Sequence, residues 1–267
     1  LVWVLSAVAL QVLGGVLALA LSKRPALAGK VAAGSLLLAG VVGLPAVLNA
    51  LLGGGSELVT APWSVPYGSL SLGLDPLSAL FLIPIFVIPP LAAVYGVRYL
   101  REEEGRRPIG ASWFFYGLLC ASMAGVVLSR NGVLFLVSWE VMSLASYFLV
   151  TFHDDDPGVC DAGWTYLGAT HLGTAFLLAF FAVIARTCGS LDFDRFGSLA
   201  QAGPGLASVL FVLALVGFGT KAGLAPFHVW LPEAHPAAPS HVSAVMSGVM
   251  LKVGLYGLFR TLVLLGP

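Results

Sequence analysis

Three ionisable residues, Glu140, Lys221 and Lys252, each lie near the middle of a long apolar run. An ionised side chain at mid-membrane costs about 2.5–3.5 kcal/mol on insertion scales, so three cost on the order of 8–10 kcal/mol. That rivals the net stability of a whole domain. The chemistry such residues serve is charge and proton transfer across a bilayer. The structural alternative is that a lysine snorkels, or that an ion pair merely joins helices. Snorkelling is least effective at mid-span, where both interfaces are far. A carboxylate about 4 Å from an ammonium, at an effective dielectric of about 20, stabilises it by about 4 kcal/mol. An attraction of that size is about three pKa units, enough to switch a lysine between its protonation states near neutral pH.

The surroundings of these residues are polar in a patterned way. Glu140 lies in "LVSWEVMSLASYFLV", with Ser143 and Tyr147 three and seven residues on, along one helix face. Lys221 precedes "AGLAPF", where Gly223 and Pro226 are expected to unwind the helix. A break at this depth is tolerated only where protein or a water-filled cavity satisfies the backbone. An ammonium supplies three donors for freed carbonyls. The expectation is that Lys221 faces a hydrated cavity between its helix, the fifth and the eighth.

Lys252 has Gly248 four residues before it and Tyr256 four after. His241 is eleven residues earlier, about 16 Å along a helix and nearly on the same face, which suits a proton relay. His171, in "LGATHLGTAFL" beside Thr170 and Thr174, reads either as a histidine bonded to a neighbouring helix or as a relay. A haem ligand would need a second histidine at matching depth, and none is evident. His228 and His235 flank the break near one membrane face.

These residues require long helices to hold them. The chain has 267 residues, 58% hydrophobic and 10% charged, with zero formal net charge and a mean hydropathy of +0.96. A soluble domain carries about 25% charged residues. The expected class is an all-α polytopic membrane protein with eight transmembrane helices, the seventh discontinuous. Their expected bounds are 1–21, 29–52, 76–99, 111–129, 132–152, 162–187, 206–231 and 240–264. Asp75 with Pro76, and Asn131, read as N-caps. Pro84, Pro89 and Pro90 should kink the third helix.

Lys and Arg in the loops favour an N-terminus outside a cytoplasmic membrane: seven on the inner side against four outside. There is no basic patch for nucleic acid. The three cysteines are far apart with no CxxC pair, so no metal site, no cluster and no cofactor of its own is expected.

The motifs "SWEVMSLASYFLV", "GFGTKAGLAPFHVWLPEAHPAAPSHVSAVMSG" and "LKVGLYG" resemble the antiporter-like membrane subunits of respiratory complex I, Mrp-type cation/proton antiporters and group 4 hydrogenases. "LSRNGVLFLVSWEVMSLASYFLVTF", "ATHLGTAFL" and "GSLDFDRF" most resemble the large antiporter-like subunit of the hydrogenase-4 and formate hydrogenlyase group. The resemblance implies that Glu140 is paired with Lys221 and that Lys252 is the central lysine of a proton half-channel. It implies residues 1–110 as three N-terminal helices and 111–267 as the first five-helix repeat of an inverted-repeat fold. Family members have about fourteen spans, so the chain reads as the N-terminal half of a longer subunit. Implied partners are other membrane subunits and a peripheral redox arm, with redox chemistry confined to them. An Mrp-type sodium/proton antiporter subunit and a non-conducting membrane scaffold are the alternative readings.

Overall fold

The computed structural model describes residues 1–53, 55–63, 69–201 and 203–266. The main helices are α1 (Val2–Ala20), α2 (Pro25–Leu51), α3 (Pro76–Tyr99), α4 (Ile109–Leu128), α5 (Gly132–Val150), α6 (Pro157–Cys188) and α7 (Pro204–Ala222). After them come the short α8 (Leu231–Ala237), then α9 (Ser240–Val245), a π-helical turn (Met246–Met250) and α10 (Leu251–Leu265). The last three are continuous, so the described residues hold eight helices long and apolar enough to cross a membrane. The expected all-α class and the interrupted seventh helix are both present.

Local chemistry explains the boundaries. The Asp75 carboxylate accepts from the Ser78 amide at 2.8 Å, with proline at the first helical position. Asn131 caps α5 through the amides of Val133 (2.8 Å) and Leu134 (3.3 Å). Asp156 caps α6 with Pro157 behind it, which starts that helix earlier than the apolar run suggests. α3 runs unbroken through its three internal prolines, and Tyr116 donates to the Pro89 carbonyl at 2.8 Å.

One element escaped the sequence reading. β1 (Glu57–Ala61) pairs antiparallel with β2 (Leu70–Leu74), Glu57 opposite Leu74 and Ala61 opposite Leu70. Each strand is only five residues, and β2 merges in composition with the apolar helix after it. A further bridge joins Leu72 to Ser129.

α4 is the most enclosed span; it packs against α1, α2, α3, α5 and α10. Leu38 and Val41 on α2, and Leu13 and Leu17 on α1, are exposed, as befits helices whose outer solvent is lipid. α7 lies between α6 and α10. Gly254 makes the last crossing possible, since a Cβ there would meet the Ala222 backbone nitrogen at 2.6 Å. Gly254→Ala is therefore expected to destabilise the protein by about 1–3 kcal/mol, read as a lower thermal midpoint in detergent.

Polar clasps close both ends of the bundle. At one, Arg107 pairs with Asp154 (2.8 Å) and with Asp155, and His153 lies 3.4 Å from Glu103. These contacts tie the α3–α4 connection to the α5–α6 turn. At the other end, the Asp75 carboxylate takes two bonds from Arg260, at 2.6 and 2.9 Å. Arg130 approaches it at 3.2 Å and donates to the Ser78 hydroxyl at 2.7 Å. Tyr256 donates to the Val127 carbonyl at 2.8 Å, and its oxygen accepts from Arg260. This network joins α3, the α4–α5 turn and α10.

A candidate proton-transfer site at the broken helix

α5 carries Ser143 and Ser146 on a buried face, with Glu140 one turn before Ser143 and partly exposed. α6 meets this face with Tyr166, Thr170 and Thr174, a polar stripe at four-residue spacing. Lys221 enters from the last turn of α7 and is 1% exposed. Its ammonium donates to the Tyr166 hydroxyl at 2.7 Å and to the Ser143 hydroxyl at 3.0 Å, and it lies 4.9 Å from the Tyr166 ring centroid. The Tyr166 and Ser146 hydroxyls are in direct contact.

Glu140 is held differently from the expected ion pair. Its carboxylate accepts from Thr174 at 2.5 Å and lies 3.4 Å from His171 Nε2. Among the described residues no ion pair joins Glu140 to Lys221. The two charges contact different residues of the α6 stripe, Glu140 meeting Thr174 and Lys221 meeting Tyr166. His171 Nδ1 lies 3.0 Å from the Leu167 carbonyl. A carbonyl only accepts, so Nδ1 carries the hydrogen. Nε2 is the ring nitrogen that faces the carboxylate, at 3.4 Å. That arrangement suits proton exchange, which the sequence left open beside a helix-joining role for His171.

The break beyond Lys221 is closed by protein. α7 ends at Ala222, and Gly223 takes φ +72°, the left-handed conformation that glycine accepts freely. The Ala225–Pro226 peptide is cis. The indole of Trp230 donates to the Thr220 carbonyl at 2.8 Å, and the Leu224 amide donates to Gly219 at 2.9 Å. The expectation that Lys221 would satisfy the freed carbonyls is thus corrected: Trp230 does so, and the ammonium turns to α5 and α6. The expected neighbour α10 is replaced by α6, although Met250 Sδ of the π turn lies 4.0 Å from the Tyr166 hydroxyl. Trp230 also packs edge-on against Tyr166, ring centroids 5.0 Å apart, and so encloses the lysine.

The remaining residues are not gathered at this point. Lys252 is exposed, and its ammonium folds back to the Ser247 carbonyl. His241 is buried against the rings of Tyr99, Trp113 and Tyr116, at 5.9, 5.6 and 5.4 Å. The shared face expected for His241 and Lys252 fails because of the π turn between them. One extra residue per turn rotates the helix beyond it by roughly 100°. His228 is exposed. His235 Nδ1 lies 2.9 Å from the Ser243 hydroxyl, and burial lowers its pKa from the ordinary value. Among the described residues no three His, Cys, Asp or Glu side chains group to hold a metal ion.

Tyr166, Ser146 and Trp230 were missed in the sequence. The i, i+4, i+8 stripe of Tyr166, Thr170 and Thr174 was the available signal for the first; Trp230 had none, because its role depends on how the break folds back.

Known proteins are similar to this chain in sequence and in fold. Hydrogenase-4 component B of Escherichia coli (strain K12) is 39% identical over 224 residues, 84% of this chain and 33% of that protein. Na(+)/H(+) antiporter subunit A1 of Staphylococcus haemolyticus (strain JCSC1435) is 33% identical over 209 residues, 76% of this chain and 25% of that protein. The structure of the Mrp complex from Dietzia sp. DQ12-45-1b superposes with a TM-score of 0.82 at 27% identity, covering 97% of this chain and 28% of that one. The chain therefore spans about a third of the length of the first relative and less of the other two. Residues 129–266 match the transmembrane domain described as NADH:quinone oxidoreductase/Mrp antiporter, and the chain belongs to that family of antiporter-like, multi-pass membrane subunits.

Proposed function

We propose that this chain forms the first proton half-channel of an antiporter-like subunit, within a respiratory or hydrogenase complex whose other subunits carry the redox chemistry. The observation that carries this reading is an enclosed lysine ammonium, Lys221, held by hydroxyls rather than by a carboxylate. Such a group can lose and regain its proton without breaking a salt bridge. Glu140 biases it without direct contact, and His171 exchanges a proton with Glu140. Lys252, exposed on α10, is the onward acceptor towards the remainder of the subunit. His228 and His241 serve access to the membrane faces, while Gly223 and Pro226 form the break. Residues 1–110 support residues 111–267, which form the transfer unit. The subunit lies in the cell's inner membrane with its N-terminus outside, and other membrane subunits and a peripheral redox arm complete the complex.

The likeness to the Na(+)/H(+) antiporter subunit and to the Mrp complex supports a second reading, in which the parent assembly exchanges sodium for protons. Glu140→Gln tests both against a non-conducting scaffold. In the full-length subunit within its assembly, ion translocation into vesicles is expected to fall by at least about ten-fold, since a positioned acid–base group contributes about 10²–10⁴-fold. Subunit stoichiometry should be unchanged. A loss that appears only with sodium present supports the second reading; unaltered translocation supports the scaffold.

A further inference from the structure

A groove of about 870 Å³ runs down the outside of the bundle between α5 and α6. Val133, Val137, Val141 and Leu144 form one wall, and Leu178 and Ala182 the other. Glu140 lies near its inner end, and Arg186 stands at its mouth. We propose that this groove holds one membrane phospholipid, an acyl chain along the apolar walls and the phosphate on Arg186.

Two observations favour this occupant. From Val133 to Leu144 the wall is twelve residues, about 17 Å of helix. One leaflet of a hydrocarbon core about 30 Å thick is about 15 Å deep. The groove is thus about one leaflet long, running from the bundle end past Glu140 to Leu144. Arg186 lies in the last turn of α6, beside Leu191 and the first turn of α5, where a headgroup would sit. It is exposed, and among the described residues its guanidinium makes no hydrogen bond or ion pair. A planar guanidinium at that depth matches a phosphate in charge and geometry. A polypeptide helix over the apolar walls would need an acidic side chain or its own C-terminal carbonyls at the mouth to meet the cation, whereas every phospholipid carries a phosphate at headgroup depth. With the chain in place, the membrane side of Glu140 is closed by hydrocarbon. Its polar contacts are then Thr174 and His171 alone. This holds whichever ion the subunit moves.

The test uses the full-length subunit in its native membrane assembly, reconstituted with phosphatidylethanolamine bearing a photoactivatable diazirine in one acyl chain. Crosslinks are expected to concentrate on residues 133–144 and 178–185. Lipid retained through detergent purification, counted by mass spectrometry, should fall several-fold in Arg186→Gln and be lost in Ala182→Trp, which fills the groove. Arg195→Gln, outside the groove, should retain the wild-type amount. Crosslinks spread evenly over all lipid-facing helices, retention unchanged in both groove variants, or a polypeptide segment crosslinked over these residues in place of lipid would each overturn the proposal.

Discussion

Lys221→Met is expected to stop ion translocation by the assembled parent complex, a loss of at least about ten-fold, while the subunits still copurify. Methionine fills the space of the lysine stem but carries no proton. Its effect on folding should be small, because the groups it abandons keep partners: Tyr166 remains in contact with Ser146, and Ser143 donates to the Trp139 carbonyl at 3.1 Å. Replacing a buried charge with an apolar group of similar volume is often neutral or stabilising. Lys221→Arg should not rescue, since a wide guanidinium that does not deprotonate cannot perform the exchange. Proton uptake into proteoliposomes, followed with a pH-sensitive dye, reads the effect. Wild-type uptake by the methionine variant would remove Lys221 from the mechanism.

Asp75→Asn is expected to cost about 3–5 kcal/mol of stability, because it leaves the guanidinium of Arg260, 7% exposed, without its counter-charge. Asparagine still caps α3, so the loss reports the charge and not the cap. Burial pushes the Asp75 carboxyl up, but the Arg260 hydrogen bonds and the charges of Arg130 and Arg260 outweigh it and hold the group well below the usual carboxylate range. The sign follows from that depression. The contribution is complete above the unfolded value near 4 and is lost as pH falls towards the lower folded value. Thermal midpoints of wild type and variant in detergent should therefore differ fully at pH 7 and converge only in strong acid. A constant gap across that range would show that Asp75 acts through packing alone.

Much of this fold could be read from the sequence because lipid makes strong demands. A span must be long and apolar, so eight runs gave eight helices, and Asp75 and Asn131 announced their helix starts. The break was legible in Gly223 and Pro226 for the same reason: few other residues could terminate a helix inside an apolar run. What filled the break was not legible. Trp230 caps Thr220 only after the chain folds back, and no local pattern encodes that. The π turn was equally hidden, since "MSGVM" has ordinary helical composition, yet it separates Lys252 from His241. Glu140 and Lys221 were found by cost, as charges that should not be there. Their indirect arrangement, through different residues of α6, was missed because attraction between opposite charges is the simpler expectation. The hydroxyls of Ser143, Tyr166 and Thr174 alter that balance by supplying each charge with neutral partners.

The proposed function requires Glu140 and Lys221, on different helices and not in contact, to work as one unit through the α6 hydroxyls. The most direct test is the proton uptake rate of the Glu140→Gln/Tyr166→Phe double variant, set beside the two single variants. Each single change is expected to slow uptake: Glu140→Gln by removing the bias, Tyr166→Phe by removing one of the two hydroxyls that hold the Lys221 ammonium. Groups acting as a unit are non-additive when removed together. The double variant is expected to be no slower than the slower single variant, to within about a factor of two. A double variant slowed by the product of the two single losses would show that Glu140 and the Lys221 site act independently, and would contradict the proposed function.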